Sequence, residues 1–320
     1  MSKAEEAEID TQLVVGQLVE GSDFNAASSL LYRWWGIFEA PASVDIDPFL
    51  VDMFDADVEA KFLDPVVRGA DALIAKIKAG PTGLARSHHL EDKDIRLTYL
   101  GEGLYRLEAE FSFQTEAAST GLQSGRARYD LTLKKRPDGR LVFATLNAKP
   151  LGNVSVDIFT PSFIVNRAKA IIIQFQTHMD SLSGDASGLR ELMMPEMELH
   201  GLIASSTDDS QKQDETVTDL KNMKKSISGG GPVKENVIRT FEQLAEWFAT
   251  GPSLFKYGLH LLEELTVKPM TDGRYEVTAQ FEWKAETLNG AKIELHQPLT
   301  WVVVDQGEKY MRIEKLLPPN

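Results

Sequence analysis

Hydrophobic positions along this chain change period in a fixed order, helical spacing first and alternation afterwards, and the order occurs twice. In residues 24–39 (FNAASSLLYRWWGIFE), Leu31, Trp34, Trp35 and Phe38 recur at three- and four-residue intervals. Asp23 or Ser22 can cap this helix, and Pro41 ends it. Residues 163–183 repeat the arrangement behind Pro161 and Ser162, with Ile171, Gln174, Phe175 and His178 on one face. In both halves the pattern then predicts a short helix (48–54; 187–194), a brief strand (58–62; 197–202) and a third helix (70–79; 236–250) that ends at Gly-Pro. From Leu104 to Gln114 the period drops to two, with Tyr105, Leu107, Ala109, Phe111 and Phe113 alternating against Arg106, Glu108, Glu110 and Ser112. Residues 275–283 alternate in the same way through Val277, Ala279 and Phe281. Such alternation predicts an antiparallel sheet with one apolar face. Strands at 125–135 and 140–148, and at 292–304 and 309–316, close the halves around the turns Pro137–Gly139 and Asp305–Gly307.

The two halves also align residue by residue. Residues 49–62 lie over 188–201 at an offset of 139, residues 68–89 over 239–260 at 171, and residues 95–114 over 265–284 at 170. These offsets pair Gly80-Pro81 with Gly251-Pro252 and His89 with His260. They also pair Tyr105, Phe111 and Phe113 with Tyr275, Phe281 and Trp283. The rise from 139 to 171 locates a polar insertion at 205–234, which contains STDDSQKQDE and a triple glycine. The expected organisation is an N-terminal segment 1–21, a first domain 22–150, a linker 151–161 and a second domain 162–320.

Composition narrows the functions open to such a chain. Its 320 residues have room for two domains, and 34 Lys and Arg against 48 Asp and Glu leave a formal charge of −14. That balance disfavours nucleic acid and anionic membrane surfaces as partners. The absence of Cys removes disulfides, thiolate metal sites and cysteine nucleophiles. An acidic start, MSKAEEAEID, and no apolar run of about 20 residues point to a cytoplasmic protein without a membrane span. There is no GxGxxG, Walker or GxSxG motif, and the histidines do not stand at a recognised metal-ligand spacing, so no cofactor or metal is expected.

The order helix, helix, strand, helix and then a long sheet is joined by FDADVEAKF (54–62), GADALIAKI (69–77) and a strand entered through His89. Together they resemble the SnoaL-like branch of the nuclear transport factor 2-like superfamily, over nearly the whole chain and twice. The resemblance implies an α+β fold: two tandem cone-shaped domains, each with about three helices packed in a curved antiparallel β-sheet around an apolar pocket. It also implies that the two domains pair as an intramolecular pseudo-dimer, with room for further homo-oligomers. Polyketide cyclases, ketosteroid isomerases, dehydratases and epoxide hydrolases belong to that superfamily, as do pockets without chemistry.

Candidate chemistry lies with histidines and aromatics placed over such a pocket. His89 and His260 stand at matching strand starts and can move protons near neutral pH, or can simply cap a strand. In the second half, if the first helix and strand meet at the cone mouth as the resemblance implies, Glu198 or His200 can form an acid and base pair with His178, one turn from Gln174, or with His260. The first half has Glu39, Glu59 and Lys61 at those places, so a catalytic pocket is expected in the second domain only. Tyr32, Trp35 and Phe111 in the first half, and Trp247, Phe281, Trp283 and Trp301 in the second, are candidates for lining a site for a small apolar ligand or for filling the core. The expected function is binding of a small apolar molecule. The alternative is a cofactor-free lyase, isomerase or cyclase acting by proton transfer in the second domain.

Overall fold

The computed structural model describes residues 21–80, 84–90, 95–181, 185–200, 237–250, 255–288, 290 and 292–317. The expected insertion 205–234 and most of the N-terminal segment lie outside the described residues. By contact the chain divides into two compact units, 1–180 with 305–311, and 181–304 with 312–320. Both carry the α+β composition expected from the sequence. No helix among the described residues is long and apolar enough to cross a membrane.

The first unit opens with α1 (Gly21–Glu39), followed by α2 (Asp47–Leu50), β1 (Phe54–Ala60), β2 (Val67–Arg68) and α3 (Ala70–Lys78). Strands β3 (Ala85–Leu90), β4 (Arg96–Gly101), β5 (Leu104–Ala117), β6 (Gly121–Lys135), β7 (Leu141–Leu146) and β8 (Ala148–Asn153) complete one sheet of eight strands. This is the element order that the resemblance implies. The sheet runs β2-β1-β7-β6-β5-β3, with β4 also pairing β5 and β8 pairing β6. Strand β8 lies at the start of the expected linker, where Pro150 and Gly152 gave no strand signal.

Helix α1 is buried on nearly every side, which explains why small Ser28, Ser29 and Gly36 are interspersed with Leu31, Trp34 and Trp35. On one side it meets the sheet. On another lies α4 (Phe163–Asp180), with Ser29 Oγ donating to the Ala170 carbonyl at 2.8 Å and Asn25 Nδ2 donating to Asp180 at 2.9 Å. In the interior, Phe111 stacks on Tyr129 with ring centroids 4.3 Å apart, and Trp34 Nε1 donates to the Tyr129 hydroxyl at 3.2 Å. Burial pushes the pKa of Tyr129 up to about 12.

The second unit contains a 3₁₀ turn (Ser187–Leu189) where a short helix was expected. Next come β9 (Met193–Leu199), α5 (Phe241–Thr250), β10 (Phe255–Pro269), β11 (Arg274–Thr287), β12 (Lys292–Val304) and β13 (Arg312–Leu316). Its five-stranded sheet runs β10-β11-β12-β13-β9. Val277, Ala279, Phe281 and Trp301 form the buried face.

Neither sheet is wholly antiparallel, because β1 joins β7 in parallel and β9 joins β13 in parallel. An alternation pattern fixes which face is apolar but not the direction of the neighbouring strand. The ladders of β5 with β6 and of β11 with β12 keep the same register, as do those of β1 with β7 and of β9 with β13. Tyr105 opposes Leu133 and Tyr275 opposes Val303, each pair 170 residues apart from its counterpart. Phe54 opposes Phe143 while Met193 opposes Ile313.

Candidate functional site

A cavity of about 670 Å3 opens in the first unit. It lies where α1 ends, and its wall includes Ile37, Phe38 and Glu39 of α1, Leu73 and Ile77 of α3, and Arg86 of β3. Pro41 stops α1 here, so the chain turns away and leaves the last helical turn facing the space. The wall is mainly apolar, and that volume is within the usual range for small-molecule sites, about 300–1,000 Å3.

Glu39 gives this end of the unit its chemistry. Its side chain is 0% exposed, and Oε1 lies 3.0 Å from His88 Nδ1. The same carboxylate accepts from His88 N at 2.7 Å, from Ser162 Oγ at 2.7 Å and from Asn166 Nδ2 at 3.0 Å on each oxygen. Burying a carboxylate is costly unless donors replace the water it loses, and these donors do so. His88 stacks on Trp35, with centroids 5.9 Å apart and planes 7° apart, and its ring lies 5.9 Å from that of Phe111.

His89 points to the other face of β3. Burial holds its pKa below the ordinary histidine value, opposed by the charge of Glu39 and by a hydrogen bond to the Thr160 backbone. Its Nε2 is buried without a hydrogen-bond partner among the described residues. Nearby Lys169 also has its pKa lowered by burial, and its ammonium lies 5.0 Å from the Tyr32 ring centroid.

The ladder corrects one sequence pairing. His88 opposes Phe113 on β5 and His260 opposes Trp283 on β11, and Phe113 and Trp283 are counterparts at the shared offset of 170. His260 therefore occupies the position of His88, not of His89. The cause is a register shift in β10 between Leu262 and Glu264, together with the break between β3 and β4, neither of which a fixed-offset alignment registers.

Among the other expected site residues, Glu198 and His200 do meet, at 3.1 Å. Glu198 also reaches Arg239 at 3.3 Å and Lys315 at 3.4 Å, and hydrogen bonding from His200 leads the effects that lower its pKa. The counterpart Glu59 holds Arg68 at 2.8 Å and Lys61 at 3.5 Å, so His200 stands in the ion-pair position of Lys61. His178 belongs to the first unit, where its Nε2 lies 3.5 Å from Gln174 Nε2 and Tyr310 donates to Gln174 Oε1 at 3.2 Å. His260 stacks on Trp283, with centroids 5.6 Å apart, and meets the Phe281 ring edge-on. Phe281 and Trp301 are fully buried, and Trp247 packs edge-on against Phe248. Tyr32, Trp35 and Phe111 fill the interior of the first unit beside the cavity rather than its wall. Among the described residues no three His, Asp or Glu side chains gather as a metal site would require.

Sequence reasoning missed the Glu39–His88 pair. The available signals were a histidine doublet at a strand start and a glutamate on the last turn of an otherwise apolar helix.

No family model matches the chain, and no curated protein matches it. Solved structures resemble about half of it. A candidate scytalone dehydratase from Novosphingobium aromaticivorans is 17% identical over 48% of this chain and 95% of its own, with a TM-score of 0.33. A protein of cystatin-like fold from Caulobacter vibrioides is 12% identical over 48% and 90%, with a TM-score of 0.32. ActVI-ORFA from Streptomyces coelicolor is 13% identical over 46% and 97%, with a TM-score of 0.27. At these scores the likeness carries no argument for a ligand or a reaction in this chain.

Proposed function

We propose that the chain is a small-molecule binding protein whose apolar ligand occupies the cavity of the first unit. The observation that carries this reading is the cavity itself, about 670 Å3 and walled by Ile37, Phe38, Leu73 and Ile77. Displacing water from such walls favours an apolar occupant by roughly 25 cal/mol per Å2 of surface buried. The test is a fluorescence titration with the neutral apolar probe N-phenyl-1-naphthylamine. Saturable binding at one site is expected, and the cavity-filling change Ile77→Trp should weaken it at least about tenfold, or about 1.4 kcal/mol. Binding that Ile77→Trp leaves unchanged would place the probe elsewhere.

The Glu39–His88 pair favours a second reading, a cofactor-free lyase, isomerase or cyclase acting by proton transfer. A carboxylate at Nδ1 fixes the imidazole tautomer and makes Nε2 the atom that exchanges a proton. Under this reading the first unit carries the chemistry. In a catalytic second domain, His260 would take the part of His88, with His200 and Glu198 as its partners. For any substrate found, His88→Ala and His260→Ala decide between the units, since positioned acid or base groups contribute about 100- to 10,000-fold. The shared registers of the two ladders support the further proposal that the halves arose by internal duplication.

A further inference from the structure

We propose that the occupant of the first unit's cavity is an amphipathic monoanion, an apolar body bearing one carboxylate, and that Arg86 receives the carboxylate. This rests on the reading of the cavity as a binding site and adds the chemical class of the ligand.

The inference follows from the charged groups on an otherwise apolar wall, which are Glu39, Lys76, Lys78 and Arg86. Glu39 is satisfied by His88, Ser162 and Asn166. Lys78 is paired with Asp47 at 2.5 Å. Lys76 is exposed, so water solvates its charge. Arg86 differs from all three. It is half-buried, it has no carboxylate partner among the described residues, and its guanidinium carbon lies 5.8 Å from the Phe38 ring centroid. Burial also lowers its pKa, the direction expected of a cation that has lost water without gaining an anion.

A guanidinium cannot relieve that cost by releasing its proton, because it stays charged at any physiological pH. The Phe38 ring face compensates only in part. A carboxylate supplied by a ligand completes the site, since the planar fork of arginine matches it with two parallel hydrogen bonds. One such cation on an apolar wall fits a single anionic group on an apolar body, as in a medium-chain fatty acid or an aryl carboxylate. Arg86 and His88 are two residues apart on β3 and share a face, so the ligand's charged end would lie on the same strand face as the Glu39–His88 pair.

The test compares decanoate with decanol, which differ in the charged head, as displacers of N-phenyl-1-naphthylamine from the full-length chain and from Arg86→Met and Arg86→Lys. Decanoate should displace the probe at a concentration at least about tenfold lower than decanol, the smaller effect expected of a charge-assisted hydrogen bond. Arg86→Met should abolish that preference while the probe's own affinity, which reports that the cavity is folded, stays within about twofold. Arg86→Lys should keep part of the preference. Equal displacement by the two ligands in the unaltered chain, or an undiminished preference in Arg86→Met, would overturn the inference and leave the binding reading intact. Failure of the neutral probe to bind the unaltered chain would overturn both.

Discussion

His88 Nδ1 lies 3.0 Å from Glu39 Oε1, and that carboxylate also gathers Ser162, just before α4, and Asn166 in its first turn. One buried side chain thus joins the end of α1, the middle of β3 and the start of α4. The cavity lies against that junction.

Replacing the carboxylate by an amide tests this role. Glu39→Gln turns one acceptor oxygen into a donor that faces the existing donors of Ser162, Asn166 and His88. A mismatched buried hydrogen-bonding group costs about 1–3 kcal/mol. Urea denaturation should show that loss for the transition reporting the first unit, and an unchanged midpoint would mean the junction is held by packing alone.

Gly125 on β6 makes a separate steric prediction. A Cβ there would lie 2.9 Å from Phe113 Cζ and 3.1 Å from the Gly152 carbonyl oxygen of β8. Glycine is needed at this position because the Phe113 ring crosses it. Gly125→Ala should destabilise the chain by about 1–3 kcal/mol, as overpacking does, and should be partly rescued by Phe113→Leu. A thermal melt in which Gly125→Ala matches the unaltered chain would show that β8 can yield.

His89 predicts a pH dependence. Burial depresses its folded pKa below the unfolded value of about 6.5, opposed by the charge of Glu39 and a hydrogen bond with the Thr160 backbone and reinforced by the charges of Lys169 and His88. Between the two pKa values the unfolded chain binds a proton that the folded chain does not, so stability rises with pH there. The contribution is complete above about pH 6.5 and is lost as the pH falls toward the folded pKa. Melting temperatures measured from pH 7.5 to 5.0 should fall less steeply for His89→Leu than for the unaltered chain. Parallel curves would remove His89 as the cause.

The correspondence of Glu198 and His200 with Glu59 and Lys61 allows an ion-pairing role for His200 to be tested against a role in the site. Lys at position 200 can restore the ion pair seen in the first unit, and a solvent-screened pair of this kind contributes little to stability. His200→Lys should leave both stability and N-phenyl-1-naphthylamine binding within measurement error. A clear loss of ligand binding would return His200 to the candidate site.

The element order was readable from the sequence because helical and alternating periods are local and strong in α1, β5 and β11. The parallel joins of β1 with β7 and β9 with β13 were not, since pairing direction leaves no mark on which residues are apolar. Aligning the two halves pairs Tyr105 with Tyr275 and Glu59 with Glu198, and the ladders give those residues matching partners. It failed at the histidines, where a shift within β10 moved His260 opposite the counterpart of Phe113 and so into register with His88. Glu39 was visible as a residue but not as a site, because its partners His88, Ser162 and Asn166 lie 49, 123 and 127 residues away along the chain.

The central claim is that ligand enters the cavity at the end of α1 in the first unit. The most direct measurement is a methyl carbon–proton NMR spectrum of the full chain labelled at isoleucine, recorded with increasing N-phenyl-1-naphthylamine. Ile37, Ile46 and Ile77 line the cavity, whereas Ile238 and Ile313 are buried in the second unit. The account predicts that the first three signals shift together and saturate while the last two stay in place; shifts confined to Ile238 and Ile313 would contradict it.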